Sequence, residues 1–310
     1  MAGLLPSSAA RFCGRRNAIS LTLVNCDPDD IKTCSKRKRD IFPVVCIAVA
    51  CVALLFIGSA ILTIAVGGIA HLGDAVTSEE VLFSLRMSVT TSTISTTICL
   101  VLALPTAYAF TRTNMPFKRA AETLLQLTMS LPYILLGVAL LLMFSSPVGK
   151  ALKDIGFAVV FQPTGIVFAQ IIVNLPFAIR MMSTAFGDVN PRMEFVAQTL
   201  GASSFTAFRT IMLPVCRNSI ISTFVLTWAR GMGEFGATLM LVGVTRMRTE
   251  TLSGNVYLAI SSGNTDMAMA TAMIMLLVSA ATLVIANLLS RPVGEGRIEA
   301  RKRHRLKVGD

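Results

Sequence analysis

Residues Ile41–Ala70, IFPVVCIAVACVALLFIGSAILTIAVGGIA, form thirty consecutive positions without a single charged side chain. At 1.5 Å rise per residue such a run is more than long enough to cross about 30 Å of hydrocarbon, which needs roughly 20 apolar residues. Four further charge-free runs follow: Met87 to Phe110, Thr123 to Gly149, Phe157 to Ile179 and Met267 to Ser290. The chain is 54% hydrophobic and only 15% charged, too apolar for a domain whose surface must meet water. An all-α polytopic membrane protein is the implied fold class.

A sixth run, Asn218 to Gly243, is interrupted by Arg230 and Glu234. The basic residues decide whether it is a span, because Lys and Arg collect on the cytoplasmic side of a correctly drawn topology. With six spans and the N-terminus inside, the cytoplasmic side receives eight of them from residues 1–40. Arg112, Lys118 and Arg119 add three, Arg192, Arg209 and Arg217 three more, and the chain from Arg291 onward seven. Only Lys150, Lys153, Arg246 and Arg248 fall outside. Removing the sixth span would move the seven C-terminal charges to the wrong side, so six transmembrane helices with both termini cytoplasmic are expected. The organisation read from this is a disordered basic cytoplasmic tail (1–40), a six-span domain (41–290) and a basic cytoplasmic tail (291–310). The net charge of +11 is then a topology signal and requires no nucleic-acid partner.

Other chemistries find little support. The stretch Ile19 to Val24 is too short for a signal peptide and is followed by Lys36-Arg37-Lys38-Arg39. The seven cysteines form no CxxC pair, so neither a disulfide framework nor a zinc site is implied. His71 and His304, the only histidines, fall in an external loop and the C-terminal tail. No G-x4-G-K-[ST] phosphate loop, HExxH or nucleophile constellation occurs, so no catalytic residue, metal or cofactor is expected, and the chain is not read as an enzyme.

The connection from Ala185 to Arg217 is structured by its own punctuation. Asn190-Pro191 can open a helix, Glu194 suits its positive end, and Gly201 can close it. Ser203 or Ser204 can cap a second helix that places Phe205 and Phe208 on one face until Pro214 stops it. Helix, glycine turn, helix on the cytoplasmic side of a bundle suits docking.

Here the chain resembles a known family. Gly201, Ile211, Leu213 and Pro214 in GASSFTAFRTIMLP reproduce the G-x9-I-x-L-P half of the EAA motif of ABC importer permeases. Where the family usually has Glu-Ala-Ala, this chain has Phe195-Val196-Ala197, with its glutamate one position earlier at Glu194. The resemblance, which covers about residues 82 to 289, implies a coupling helix seated on a cytoplasmic ABC ATPase subunit. Glu194, Gly201, Ala202, Ser203, Ser204, Phe205, Phe208 and Pro214 are its expected coupling residues.

Within that family three stretches are similar to permeases for molybdate, tungstate and sulfate: Ser130-Leu131-Pro132 with Leu136-Gly137, Gln170 through Asn174-Leu175-Pro176, and Ala229-Arg230-Gly231-Met232-Gly233-Glu234-Phe235-Gly236-Ala237-Thr238. The GEFGA core is shared with sulfate permeases, and Thr238 inclines the resemblance towards molybdate. It implies two like chains, ATP hydrolysis on separate subunits, and an extracytoplasmic oxyanion-binding protein delivering cargo. Alternating access across the cell membrane and its lipid is the implied mechanism, and Arg230, Gly233, Glu234 and Thr238 are the expected pathway residues.

Two physical readings of Arg230 and Glu234 stand side by side. A charge at mid-membrane depth costs about 2.5–3.5 kcal/mol on insertion scales and must be paired or hydrated. Spaced i, i+4, the two could form an internal ion pair, or Arg230 could meet a passing anion while Glu234 tempers it. Gly231, Gly233 and Gly236 permit close helix approach. The hydroxyls of the second span, Ser88 to Thr97, read as bonds to carbonyls one turn back or as a wet lining. Asn174 reads as satisfying a carbonyl freed by Pro176. An ion-coupled secondary transporter would also have buried charges, but it predicts an inverted repeat, and none is visible.

Overall fold

The computed structural model describes residues 41–289; the two expected tails and Ser290 lie outside them. Every described element is a helix. The chain divides into two units after Ala60. Among described residues the first contributes only the start of α1 (Ile41–Ile69), whose side chains are exposed along Phe42–Ala60. A helix apolar all round and exposed all round is satisfied only in hydrocarbon.

The second unit holds the rest. α2 (Leu72–Thr77) leads into α3 (Glu79–Arg112), whose 34 residues give about 50 Å of helix, longer than the hydrocarbon is thick. α4 (Lys118–Ser130) and α5 (Tyr133–Ser145) follow, then α6 (Pro147–Asp154) and the long α7 (Pro163–Asp188). α8 (Pro191–Thr199) and α9 (Ser204–Val215) form the connecting segment. α10 (Arg217–Met232), α11 (Gly236–Leu241), α12 (Leu252–Ser261) and α13 (Thr265–Leu289) complete it.

α3 and α7 are the spine. The buried face of α3 reads Ser84, Ser88, Thr91, Ser92, Ser95, Cys99, Ala103, Ala107 and Phe110, a helical repeat of mostly small residues. Small side chains let helix backbones approach where no water drives association. One core cluster joins this face to Ala178, Met182 and Phe186 of α7 and Met212 of α9. A second joins α5, α7 and α11 through Leu136, Leu140, Ile166, Ala169 and Leu241.

Among the described residues four helices are long and apolar enough to cross a membrane, and two bent pairs raise the number to at most six. Three boundaries differ from the expectation. The third run is bent by 109° between α4 and α5, because Leu131 is extended ahead of Pro132. The fourth helix begins at Pro163, not Phe157, since Phe161 sits at φ 56° in a turn, and it continues to Asp188. The interrupted run from Asn218 to Gly243 is two helices, with α10 ending at Met232 and α11 starting at Gly236. α12 was not foreseen; the hydroxyl of Ser88 holds its first N–H, Leu252 N, at 2.7 Å.

Candidate functional site

The segment after α7 is built as its punctuation predicts at both starts. Asn190 Oδ1 accepts from Arg192 N at 3.0 Å, with Pro191 in the first turn of α8. Ser203 Oγ accepts from Thr206 N at 3.1 Å and caps α9. Between them Gly201 takes φ +91°, a conformation in which a side chain would be strained.

Its end differs. Pro214 does not stop the helix: Phe208–Met212 form a π-helical turn, and Pro214 lies inside α9. Proline clashes with the carbonyl four residues back, and the widened turn absorbs that clash. The break comes at Cys216, where α9 and α10 meet at 72°. Phe205 and Phe208 also part company. Phe205 is 71% exposed, whereas Phe208 turns inward, 5.0 Å from the Tyr108 ring and 6.1 Å from Phe186.

Glu194 points into the protein and is only 4% exposed. Arg112 Nε donates to Glu194 Oε1 at 2.8 Å and Tyr108 OH donates to Oε2 at 3.0 Å. The same guanidinium donates through Nη2 to the carbonyls of Phe186 (3.0 Å) and Val189 (2.6 Å). One arginine at the last turn of α3 thus ties down the end of α7 and the start of α8, and cations at helix C-termini are favoured there. Met193, Phe195, Val196 and Leu200 are left exposed, and with Phe205 they make an apolar outer face. Of the remaining expected coupling residues, Ala202 is half-buried, while Ser203, Ser204 and Pro214 are exposed.

A second constellation lies where α3, α5, α7 and α10 cross. Gln170 on α7 is its hub: Nε2 donates to the Gly231 carbonyl (3.0 Å) and Ser92 Oγ (3.3 Å), and Ser95 Oγ donates to Oε1 (2.8 Å). Gly231 brings the helices close here: a Cβ would stand 3.3 Å from Ser92 Oγ, which would have to give by a few tenths of an ångström. The other hydroxyls of α3 split by face. Thr90, Thr93 and Thr97 bond carbonyls one turn back, at 2.7–2.8 Å. Thr93 also accepts from Trp228 Nε1 at 3.0 Å.

Arg230 and Glu234 do not pair. Helix α10 ends between them, so the i, i+4 relation is lost, and Glu234 turns to cap α11. Its carboxylate accepts from Ala237 N (2.7 Å), Thr238 N (3.2 Å) and the Thr238 hydroxyl. Thr238 is therefore a cap partner. Gly233, exposed, is the hinge residue that ends α10.

Arg230, half-buried, donates from Nη2 to Tyr133 OH at 2.7 Å and from Nε to Asn174 Oδ1 at 3.3 Å. Its guanidinium lies 4.6 Å from the centre of the Phe177 ring. Among the described residues it forms no ion pair. Asn174 consequently does not repair the Pro176 kink: its oxygen serves Arg230, and its Nδ2 has no partner. The spacing of the sequence could not reveal Tyr133, Arg112 or Tyr108 as partners, since each meets its site from a helix more than fifty residues away.

The three motif stretches therefore converge. Gly137 of α5 packs so tightly on α11 that a Cβ would come within 2.6 Å of the Ala237 carbonyl oxygen.

The chain is 34% identical over 214 residues to the molybdenum transport system permease protein ModB of Mycobacterium tuberculosis, covering 68% of this chain and 80% of that one. It is 34% identical over 161 residues to the molybdate/tungstate transport system permease protein WtpB of Thermococcus kodakarensis, covering 52% and 61%. It is 27% identical over 223 residues to the sulfate transport system permease protein CysT of Salmonella typhimurium, covering 71% and 80%. In fold it is similar to a chain of a bacterial alginate ABC transporter solved with an alginate pentasaccharide-bound periplasmic protein. That match has a TM-score of 0.67 at 20% identity and covers 86% of this chain and 98% of the other. Residues 100–294 match the family described as binding-protein-dependent transport system inner membrane component, and to that family of ABC transporter permeases this chain belongs.

Proposed function

We propose that the chain is the membrane half of an importer for a tetrahedral oxyanion, molybdate before tungstate or sulfate, working as a pair of identical copies. Six spans with both termini cytoplasmic set its orientation in the cell membrane, an extracytoplasmic binding protein delivers the anion, and separate ATPase subunits supply the energy. Molybdate, tungstate and sulfate are the cargoes named for the relatives above. One observation carries the reading: Arg230 holds a positive charge at the crossing of the motif helices without a carboxylate partner among the described residues.

The phenol, amide and ring around it position the guanidinium without neutralising it. A dehydrating anion can exchange water for such donors. The exposed apolar residues of α8 and the start of α9 support the coupling role, since apolar side chains left in the open mark a protein or membrane contact. Glu194 then acts from inside, fastening that contact to α3. ATP shifts the two-state equilibrium only through its differential binding to the inward- and outward-open forms.

Arg230→Gln keeps donors towards Tyr133 and Asn174 but removes the charge. The variant should elute and melt as the parent does, while binding-protein-stimulated ATPase and molybdate uptake fall by tenfold or more, about 1.4 kcal/mol. Normal uptake by a folded Arg230→Gln transporter would sink the pathway role.

A further inference from the structure

At the end of α7 that carries α8, a cavity of about 520 Å³ opens between the last turn of α3, α4 and α7. Its lining includes Arg112, Lys118 and Arg180 against a single carboxylate, Glu122. Glu122 lies 3.9 Å from Lys118, both about half exposed, a separation at which surface pairs contribute little. Arg112 is committed to Glu194, but among the described residues Arg180 has no carboxylate partner. Ser183, also in the lining, has its hydroxyl buried without a hydrogen-bond partner. A helical serine ordinarily bonds the carbonyl one turn back, as Thr184 beside it does to Arg180 O at 3.1 Å. A cleft lined by an arginine without a carboxylate and by a lysine only loosely paired, with an orphaned donor in its wall, suits a group rich in acceptor oxygens.

We infer that this cavity is a binding site for the phosphate of an anionic phospholipid headgroup, held by Arg180 and Lys118 with the Ser183 hydroxyl as donor. The chemistry alone would also admit a free tetrahedral oxyanion. Two observations favour the lipid. The volume is many times that of one small anion, and the α4 wall turns apolar through Leu125 and Met129, as an acyl chain requires. α4 itself buries no residue, and it exposes Leu124 and Leu127 on its far side. It is therefore an amphipathic helix lying against something apolar other than this chain. Basic clefts between membrane helices on the cytoplasmic side recruit such headgroups. Placing the headgroup in the inner leaflet rests on the coupling reading of α8; the binding itself does not.

The test uses the purified transporter, permease with its ATPase, in neutral detergent. Native mass spectrometry with phosphatidylglycerol and phosphatidylcholine, in parallel with free molybdate and phosphate, separates the two sources. The expected result is retained phosphatidylglycerol, little phosphatidylcholine, and affinity weakened roughly fivefold for each cation removed in Arg180→Gln and Lys118→Gln. Ser183→Ala, which deletes one hydroxyl and disturbs no charge, should weaken retention as well and covers the case of a glutamine variant that fails to assemble. Equal phosphatidylglycerol retention by parent and assembled variants overturns the site. Displacement of the lipid by millimolar molybdate or phosphate, lost in the same variants, overturns the lipid in favour of a free-anion site. Arg230→Gln should leave lipid retention intact while lowering uptake tenfold or more, so failure here and failure of the transport reading are told apart.

Discussion

Arg112 shows how much one side chain can be asked to do. Breaking a buried ion pair by removing one partner costs about 3–5 kcal/mol, because the survivor is left charged without compensation. Arg112→Met should therefore lower Tm markedly and open the chain between Phe186 and Gly201 to limited proteolysis. Glu194→Gln should do less, since its amide oxygen can still accept from Arg112 while its amide nitrogen donates to the Tyr108 oxygen. Proteolysis that is unchanged in Arg112→Met would remove this arginine from the anchoring of α8. Gln170 offers a comparable case at the helix crossing. Gln170→Leu matches its volume but removes one hydrogen bond each from the Gly231 carbonyl, which keeps Glu234 N, and the Ser95 hydroxyl, which keeps the Ser92 carbonyl, a loss of about 0.5–1.5 kcal/mol per bond. The loss should appear as a lowered Tm in detergent.

Among elements, what could be read from the sequence follows what is local. Asn190-Pro191, Gly201 and Ser203 set the starts and the turn of the connecting segment through contacts within three residues, and all three behave as expected. The same reasoning failed at Pro214, where a π turn accommodates the ring, and at Arg230 and Glu234, where a helix end falls between two residues assumed to share a helix. Hydropathy located the apolar runs but not their bends, because a run charges nothing for turning 109° at Leu131-Pro132 while it stays in one apolar medium. The partners of Arg230 and Glu194 come from distant helices, and no local pattern encodes them. Two substitutions examine elements directly. Ser203→Ala should cost about 0.5–2 kcal/mol locally, seen as faster hydrogen exchange at the start of α9 with Tm nearly unchanged. Gly137→Ala pushes a methyl against the Ala237 carbonyl and should destabilise by about 1–3 kcal/mol, read as lost thermal stability of the assembled transporter.

For the whole molecule, the topology is the first quantity to measure. In a cysteine-free background, Ser204→Cys should react with an impermeant thiol reagent only from the cytoplasmic side, and Ser262→Cys only from outside; the reverse pattern would invert the charge-based orientation. The missing counter-ion of Arg230 has its largest consequence at this scale. Two identical copies facing one path would bring two uncompensated positive charges to it, and together they match the charge of one molybdate, tungstate or sulfate dianion. Loading a dianion then leaves the crossing electrically even, whereas a monoanion leaves one charge over and an empty carrier leaves two. Selection by valence follows, ahead of any selection by size. Tungstate and sulfate should compete with molybdate for ATPase-coupled uptake, and nitrate or perchlorate at the same concentration should not.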